Sequence, residues 1–215
     1  MRFLLIHTSG AEGSVALASD AGATRSEALP GRSASERLVS VVRRLMEAAG
    51  WRLSDLTAVV VVDGPGSFTG VRVGLSAAKG LCEAGGVPLI TVSRLALLAS
   101  AIESEGTVHA VLDAGRGEFY HGEYVGQRMV REALVYGDEL RVVVGDGVVV
   151  VCEEKAAAAF ADLNPRLVTE PLADGALPFA LERARVGEFD DTALKDANYL
   201  RRTDLEIQAK LGAAR

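Results

Sequence analysis

The stretch from Thr57 to Gly70 restricts the possible folds more than any other part of the chain. Thr57 to Val62 is a continuous apolar run dominated by β-branched side chains. That is the pattern of a strand covered on both faces, not of one alternating between core and solvent. The run breaks at Asp63-Gly-Pro-Gly-Ser-Phe-Thr-Gly70 and is followed by a helical segment, Val71 to Ala84. A doubly covered strand, a glycine-rich loop and a helix in succession point to an α/β layered architecture.

The flanking sequence fits that class. Arg2 to Thr8, Ser14 to Ser19 and Ala23 to Leu29 read as three strands, separated by turns at Ser9–Gly13 and Asp20–Gly22. Ser33 with Glu36 forms a capping box, and Leu38, Val41, Val42, Leu45, Met46 and Ala49 recur at helical spacing until Gly50. This predicts one helix over Ser33–Ala49. Val87 to Val92 reads as a strand and Arg94 to Glu103 as a helix, completing the order βββαβαβα. After Gly106 the pattern partly restarts, with strands at Val108–Asp113, Glu118–Tyr124 and Met129–Tyr136, so a degenerate repeat is expected. A β-rich stretch from Arg141 to Cys152, an Ala-rich helix at Lys155–Leu163 and a helix at Leu177–Arg185 follow. The polar tail after Glu188 includes a short helix predicted at Leu205–Leu211. The repeat divides the chain into lobes at 1–104 and 105–215.

Composition narrows the function. With 49% apolar residues the chain can fill a core, and 23 basic against 29 acidic side chains leave a net charge of −6. Phosphate binding needs a concentrated basic surface, so contact with nucleic acid is expected only in the company of a partner. Apolar runs such as Ala58–Val62 and Val148–Cys152 are far shorter than the roughly 18 residues that span a bilayer, and no membrane association is expected. Phe3 to Ile6 is too short for a signal-peptide core, so the expected location is cytoplasmic. Cys82 and Cys152 stand without ligand spacing and are expected to be buried free thiols.

The glycine-rich loop joins strand to helix, where backbone N–H groups and the helix dipole could receive an anion. It lacks the Lys-Ser or Lys-Thr of a P-loop and the last glycine of the dinucleotide fingerprint. The residues therefore leave two readings open, an anion cradle or a tight turn relieved by glycine. The helix behind it has only a narrow polar stripe, Arg72, Ser76, Lys79 and Glu83, and the Ser33–Ala49 helix is broadened by Val39 and Ala48. Their apolar arcs exceed what one sheet face needs, so they pack on each other or on another chain. His7, His109 and His121 lack metal-ligand spacing, which predicts no metal site; His7 reads as a satisfied strand-end residue and the other two as strand side chains. Ser67 lies outside a G-x-S-x-G elbow and reads as a loop or cap residue, leaving no catalytic residue assigned. Asp113, Glu118, Arg43-Arg44 and Arg201-Arg202 read as solvated charge.

Gly64-Pro65-Gly66-Ser67-Phe68-Thr69-Gly70-Val71-Arg72 and its continuation to Leu81 closely resemble the signature of the TsaB (YeaZ) family of tRNA threonylcarbamoyladenosine biosynthesis proteins. Leu5-Ile6-His7-Thr8-Ser9, Ser35-Glu36-Arg37-Leu38, Thr91-Val92-Ser93, Asp113 to Tyr120, Gly145-Asp146-Gly147 and Tyr199-Leu200-Arg201 are similar to further family segments. The resemblance implies a two-lobed actin-like ATPase (ASKHA, ribonuclease H-like) fold, each lobe a mixed sheet with helices. It implies a noncatalytic subunit that binds and stabilises the transferase subunit TsaD, with the ATPase TsaE, for modification of the adenosine 3′ of the anticodon. By matching position it places partner contacts at Leu38, Val42, Leu45, Met46, Val73, Ala77 and Gly80, where a second copy could pair instead. It further implies no cofactor on this chain alone, with ATP or ADP at the complex interface. His7 stands where the family has Asp, Ala34 where many members have His, and Gly115 where they have Arg. A neutral imidazole replaces a magnesium-binding carboxylate poorly, which counts against the alternatives of a small-molecule kinase or ATPase. A peptidase has only the Ser67 turn in its favour.

Overall fold

A computed structural model describes residues 1–30 and 34–200. Its first sheet contains β1 (Arg2–His7), β2 (Gly13–Ser19), β3 (Gly22–Leu29), β4 (Ala58–Val62) and β5 (Leu89–Val92), in the order β3-β2-β1-β4-β5. Short turns make β1, β2 and β3 antiparallel neighbours. Parallel pairing of β1 with β4 and of β4 with β5 requires crossovers. Those are α1 (Ala34–Ala49) and α2 (Phe68–Gly85). Helix α3 (Arg94–Ala99) leads to the second sheet, formed by β6 (Thr107–Gly115), β7 (Glu118–Val125), β8 (Arg128–Tyr136), β9 (Val148–Val151) and β10 (Arg166–Leu167). Its order, β10-β9-β6-β7-β8, is that of the first sheet read from the opposite edge, so the expected repeat is present. Helices α4 (Gly137–Val144) and α5 (Glu154–Ala159) take the crossover positions, and α6 (Leu177–Arg185) follows.

Alternation in β1 divides the core. Leu4 and Ile6 face α1 and α2, together with Val59, Val61, Leu75 and Ala78. Phe3 and Leu5 face the opposite way and join Leu95, Leu97 and Leu98 of α3 with Val108, Ala110, Leu112 and Val150 of the second sheet. This shared apolar layer joins the two lobes. A third cluster, including Val111, Phe119, Leu140, Val149 and Phe160, closes the far side of the second sheet.

The main departure from the predicted elements is at Arg141–Val144, which is helical instead of β. Asp138 and Glu139 occupy the first turn, and the Glu139 carboxylate accepts from the Tyr136 N–H at 2.9 Å. Leu140 and Val144, one turn apart, are both buried; capping and this pair outweigh the strand preference of the valines. The predicted Lys155–Leu163 helix breaks at Phe160 into α5 and a 3-10 turn at Ala161–Leu163, and α3 ends four residues before the predicted Glu103. Ser33 of the capping box, Arg201-Arg202 and the Leu205–Leu211 helix lie outside the described residues. Among the described residues no helix is long and apolar enough to cross a membrane.

Segment 190–200 runs across both lobes. The Asp190 carboxylate accepts from the Thr91 N–H at 2.7 Å and from Arg183 at 3.1 Å. The Asn198 N–H donates to the Asp63 carbonyl at 2.8 Å, and its side-chain amide donates to Glu132 at 2.6 Å.

Candidate functional site

The glycine loop owes its composition to a close seam between α2 and the end of β1. A Cβ built at Gly66, Gly70 or Gly74 would overlap the Ser9 carbonyl, the Thr8 carbonyl and the Thr8 hydroxyl respectively. Gly70 and Gly74 stand one helical turn apart on α2, and Gly66 lies in the loop just before it, so bare backbone from loop and helix together lies on the chain that leaves β1. Hydrogen bonds close the seam: the Thr8 hydroxyl donates to the Gly70 carbonyl at 2.6 Å, and the Ser67 N–H donates to the Ser9 carbonyl at 2.9 Å. The Ser67 hydroxyl accepts from the Gly70 N–H at 3.2 Å, a helix cap, as its sequence context predicts. Gly64 has φ +104°, a conformation L side chains rarely adopt. Close approach of backbone to the end of β1, which neither reading of the loop names, accounts for the spacing of Gly66, Gly70 and Gly74. Pro65 is buried beside the seam, whereas Phe68, Thr69 and Arg72 are exposed on its outer side.

The residues expected to meet a partner separate into two groups. Leu38, Val42, Leu45 and Met46 turn inward onto the first sheet with only 1–8% exposure, so they have almost no surface to offer another chain. Their regular spacing marks the core-facing stripe of α1. The outward apolar groups on that helix are Val39, at 64% exposure, and Ala48. On α2 the arrangement differs. Val73 and Ala77 are half-buried, Gly80 is exposed with open space where a Cβ would sit, and Leu81 and Ala84 continue the row. This strip of small apolar groups runs along the helix beside α1.

The cleft between the lobes is occupied by the chain's own charges. Arg94, at the start of α3 and 6% exposed, is paired with Glu170 and, at 3.4 Å, with Glu153. Glu170 also accepts from the Ala11 N–H at 3.3 Å, and Glu153 accepts from the Asp113 N–H at 2.8 Å. The Asp113 carboxylate pairs with Lys155 and accepts from the Gly115 N–H; it is therefore engaged, not solvated as its sequence context predicted. Burial alone would push the Asp113 carboxyl up, but these partners hold it below the usual range. Arg44, expected as solvated surface charge, is exposed and also pairs with Glu27.

His7 ends β1 fully buried. Its Nδ1 accepts from the Ser9 N–H at 3.2 Å while Nε2 has no partner among the described residues, so it is only half satisfied. Burial, aided by the Arg94 charge, lowers its pKa to about 3 and keeps it neutral. In the other lobe His109 and His121 are stacked, with Nδ1 of His109 2.9 Å from Nε2 of His121. Burial lowers the pKa of His109. Burial and the neighbouring imidazole lower His121 to about 4. Cys82 is buried and Cys152 half-buried; desolvation raises both thiols to about 11, which makes them poor nucleophiles at neutral pH. Among the described residues no cluster of His, Cys, Asp and Glu could hold a metal ion.

Sequence reasoning missed the Arg94–Glu170 pair, the histidine stack and Tyr199 as a neighbour of Arg72. The first two depend on distant contacts and strand register. Only the short Tyr199-Leu200-Arg201 match pointed to the third.

A family model described as TsaD: tRNA N6-adenosine threonylcarbamoyltransferase matches residues 28–151. The tRNA threonylcarbamoyladenosine biosynthesis protein TsaB of Escherichia coli K12 is 38% identical over 127 residues, 58% of this chain and 55% of that protein. The protein of the same name from Bacillus subtilis 168 is 35% identical over 102 residues, covering 47% and 44% respectively. The chain thus spans about half the length of the curated relatives it matches. Among solved structures, YeaZ from Pseudomonas aeruginosa superposes with TM-score 0.77 at 29% identity, covering 93% of this chain and 99% of that one. With two mixed sheets in the same strand order and this set of relatives, the chain has the two-lobed actin-like fold and belongs to the TsaB (YeaZ) family.

Proposed function

We propose that this chain is a noncatalytic scaffold in tRNA N6-threonylcarbamoyladenosine biosynthesis. It binds the TsaD-type transferase subunit and, with a TsaE-type ATPase, supports modification of the adenosine 3′ of the anticodon. The observation that carries this reading is the half-open strip Val73, Ala77, Gly80 and Leu81 on α2, in a chain of this family. Small side chains let a neighbouring helix approach closely, so a helical partner gains contact at little steric cost. The cleft supports a noncatalytic role. Arg94 is already matched by Glu170 and Glu153, and the buried neutral His7 stands where the family places a carboxylate. ATP or ADP then belongs at the boundary with a partner subunit, and tRNA is engaged in the complex.

Ala77→Arg places a charge in the middle of the strip. It should abolish co-purification with the TsaD-type subunit while leaving the circular dichroism spectrum unchanged; undiminished association would remove the interface assignment. A surface open to a related subunit can also pair with a copy of itself, so a homodimer through the same strip is the second reading. Sedimentation of the chain alone distinguishes the two, because Ala77→Arg should convert any dimer to monomer.

A further inference from the structure

The outermost strand of a sheet presents a row of N–H and C=O groups with no neighbouring strand, and folded chains ordinarily blunt such edges. The outer strands here are β3 and β5 in the first sheet and β10 and β8 in the second. Strand β3 carries the charged Arg25 and Glu27, and β10 is only two residues long. Strand β5 is plugged by other parts of the chain. The Asp190 N–H donates to the Leu89 carbonyl at 2.9 Å, the Thr91 N–H to the Asp190 carboxylate at 2.7 Å, and Arg183 to the Thr91 carbonyl at 3.1 Å. Strand β8 has no such cover. It runs for nine residues, and past a register shift beside Tyr124 its pairing with β7 is regular from Arg131 to Tyr136. Alternate N–H and C=O groups of that stretch point away from β7. Among the described residues, no backbone group from Arg128 to Val135 is bonded to anything but β7. The run Ala133-Leu134-Val135 brings no charge, proline or bulge to defend the edge.

A groove of about 1100 Å3 adjoins this edge, lined by Met129 and Glu132 of β8, Phe179 and Glu182 of α6, Val186 and Asp196. Met129 is 57% and Val186 74% exposed, so apolar surface lies open in it. Six carboxylates line the groove against three cations, and Glu182 and Asp196 have no cationic partner among the described residues. We infer that β8 takes an extended, lysine- or arginine-bearing segment of a partner protein as an added strand, its alternate side chains lying over the groove. In this mode the main-chain hydrogen bonds supply affinity, and the side chains on one face of the added strand supply selectivity. A basic segment meets the excess of carboxylates. A second copy of this chain fits worse, because pairing β8 with itself would set two acidic grooves side by side. Val73, Ala77 and Gly80 do not line the groove, so this inference stands apart from the proposed partner face on the first lobe.

Fluorescence anisotropy with labelled peptides, paired with amide hydrogen exchange of the full chain, tests the edge. The probes are a short peptide alternating lysine and valine, the same peptide with its central valine replaced by proline, and one alternating glutamate and valine. The lysine–valine peptide should bind at or below millimolar concentration and slow exchange in Arg131–Val135. The proline peptide keeps the charge but loses a backbone donor and the extended pairing, so it should bind at least about tenfold more weakly. The glutamate–valine peptide should be weaker by at least as much. Glu182→Lys and Asp196→Lys should each weaken the lysine–valine peptide about tenfold, and both positions are exposed, so these variants keep the fold. The inference is overturned if the proline or glutamate peptide binds as well as the lysine–valine peptide, or if exchange in β8 does not change. It is also overturned if the outer amides of β8 are already protected in the chain alone. Protection that rises with protein concentration would identify a second copy as the occupant, and protection independent of concentration the chain's own residues 201–215. Ala77→Arg should bind the lysine–valine peptide like the wild type, so loss of the partner face and loss of this edge are separable results.

Discussion

The two lobes repeat one strand order yet cover their sheets differently. In the first, the crossovers are helices of 16 and 18 residues; in the second, the corresponding helices have 8 and 6. At 1.5 Å rise per residue, the longer set extends roughly 25 Å and the shorter roughly 10 Å. The short set already closes a core, since Leu140, Phe160 and Ala156 are fully buried. Sheet coverage alone therefore does not require the length of α1 and α2. What the added turns supply is a continuous two-helix surface, with the row Val73, Ala77 and Gly80 along it, and the second lobe has no counterpart. The difference supports placing the docking surface on the first lobe.

The comparison can be broken most directly at the seam. Gly70→Ala inserts a methyl group against the Thr8 backbone carbonyl, where no flexible side chain can give way. It should cost about 3 kcal/mol in urea unfolding, the upper range for overpacking. A cost below ~1 kcal/mol would mean that α2 is not fixed to β1 and that its placement differs little from that of the second-lobe helices.

Acid should weaken both lobes, through different histidines. His7 in the first lobe and His121 in the second have folded pKa values of about 3 and about 4, below the unfolded value of 6.5. Above pH 6.5 both are neutral in either state and contribute no pH dependence. As pH falls below 6.5 the unfolded chain takes up protons that the native chain refuses. Each histidine then removes about 1.4 kcal/mol of stability per pH unit until its folded value is reached. Urea midpoints between pH 7 and 5 should fall accordingly, and His121→Gln should remove one proton from that slope. A flat profile would contradict burial of neutral imidazoles in both lobes.

Smaller effects sharpen the contrast between helix surfaces. Gly80→Ala, with open space for its methyl, should raise stability by about 0.5–1 kcal/mol, because glycine is unfavourable inside a helix. Val142→Arg on α4, where Val142 is 82% exposed, should change stability by less than ~0.5 kcal/mol and leave partner co-purification intact. Loss of association in Val142→Arg would show that the second lobe also carries a docking surface.

The strand order and the two long helices were legible because periodicity reports which side of an element meets the core. Thr57–Val62 could only be a strand covered on both faces, and the first three strands had turns short enough to force antiparallel pairing. The same periodicity misled at Leu38, Val42, Leu45 and Met46: it identifies an apolar stripe but not whether the chain's own sheet or another molecule covers it. At Arg141–Val144 local strand preference lost to a carboxylate cap and a buried pair one turn apart. Arg94 and Glu170 are 76 positions apart in sequence and meet only when the lobes close. His109 and His121 become neighbours through the register of β6 and β7, in which His109 faces Glu123 and His121 faces Val111.

With two consecutive turns of α2, and the loop residue just before it, stripped of side chains where they touch the tip of the first strand, nothing soft separates the two. They must move as one body, so a molecule gripping the helix on its far flank has a lever on the mouth between the lobes. Such a joint conveys position and needs no charge or nucleophile. The glycine signature therefore has a mechanical use that is independent of any chemistry in that mouth.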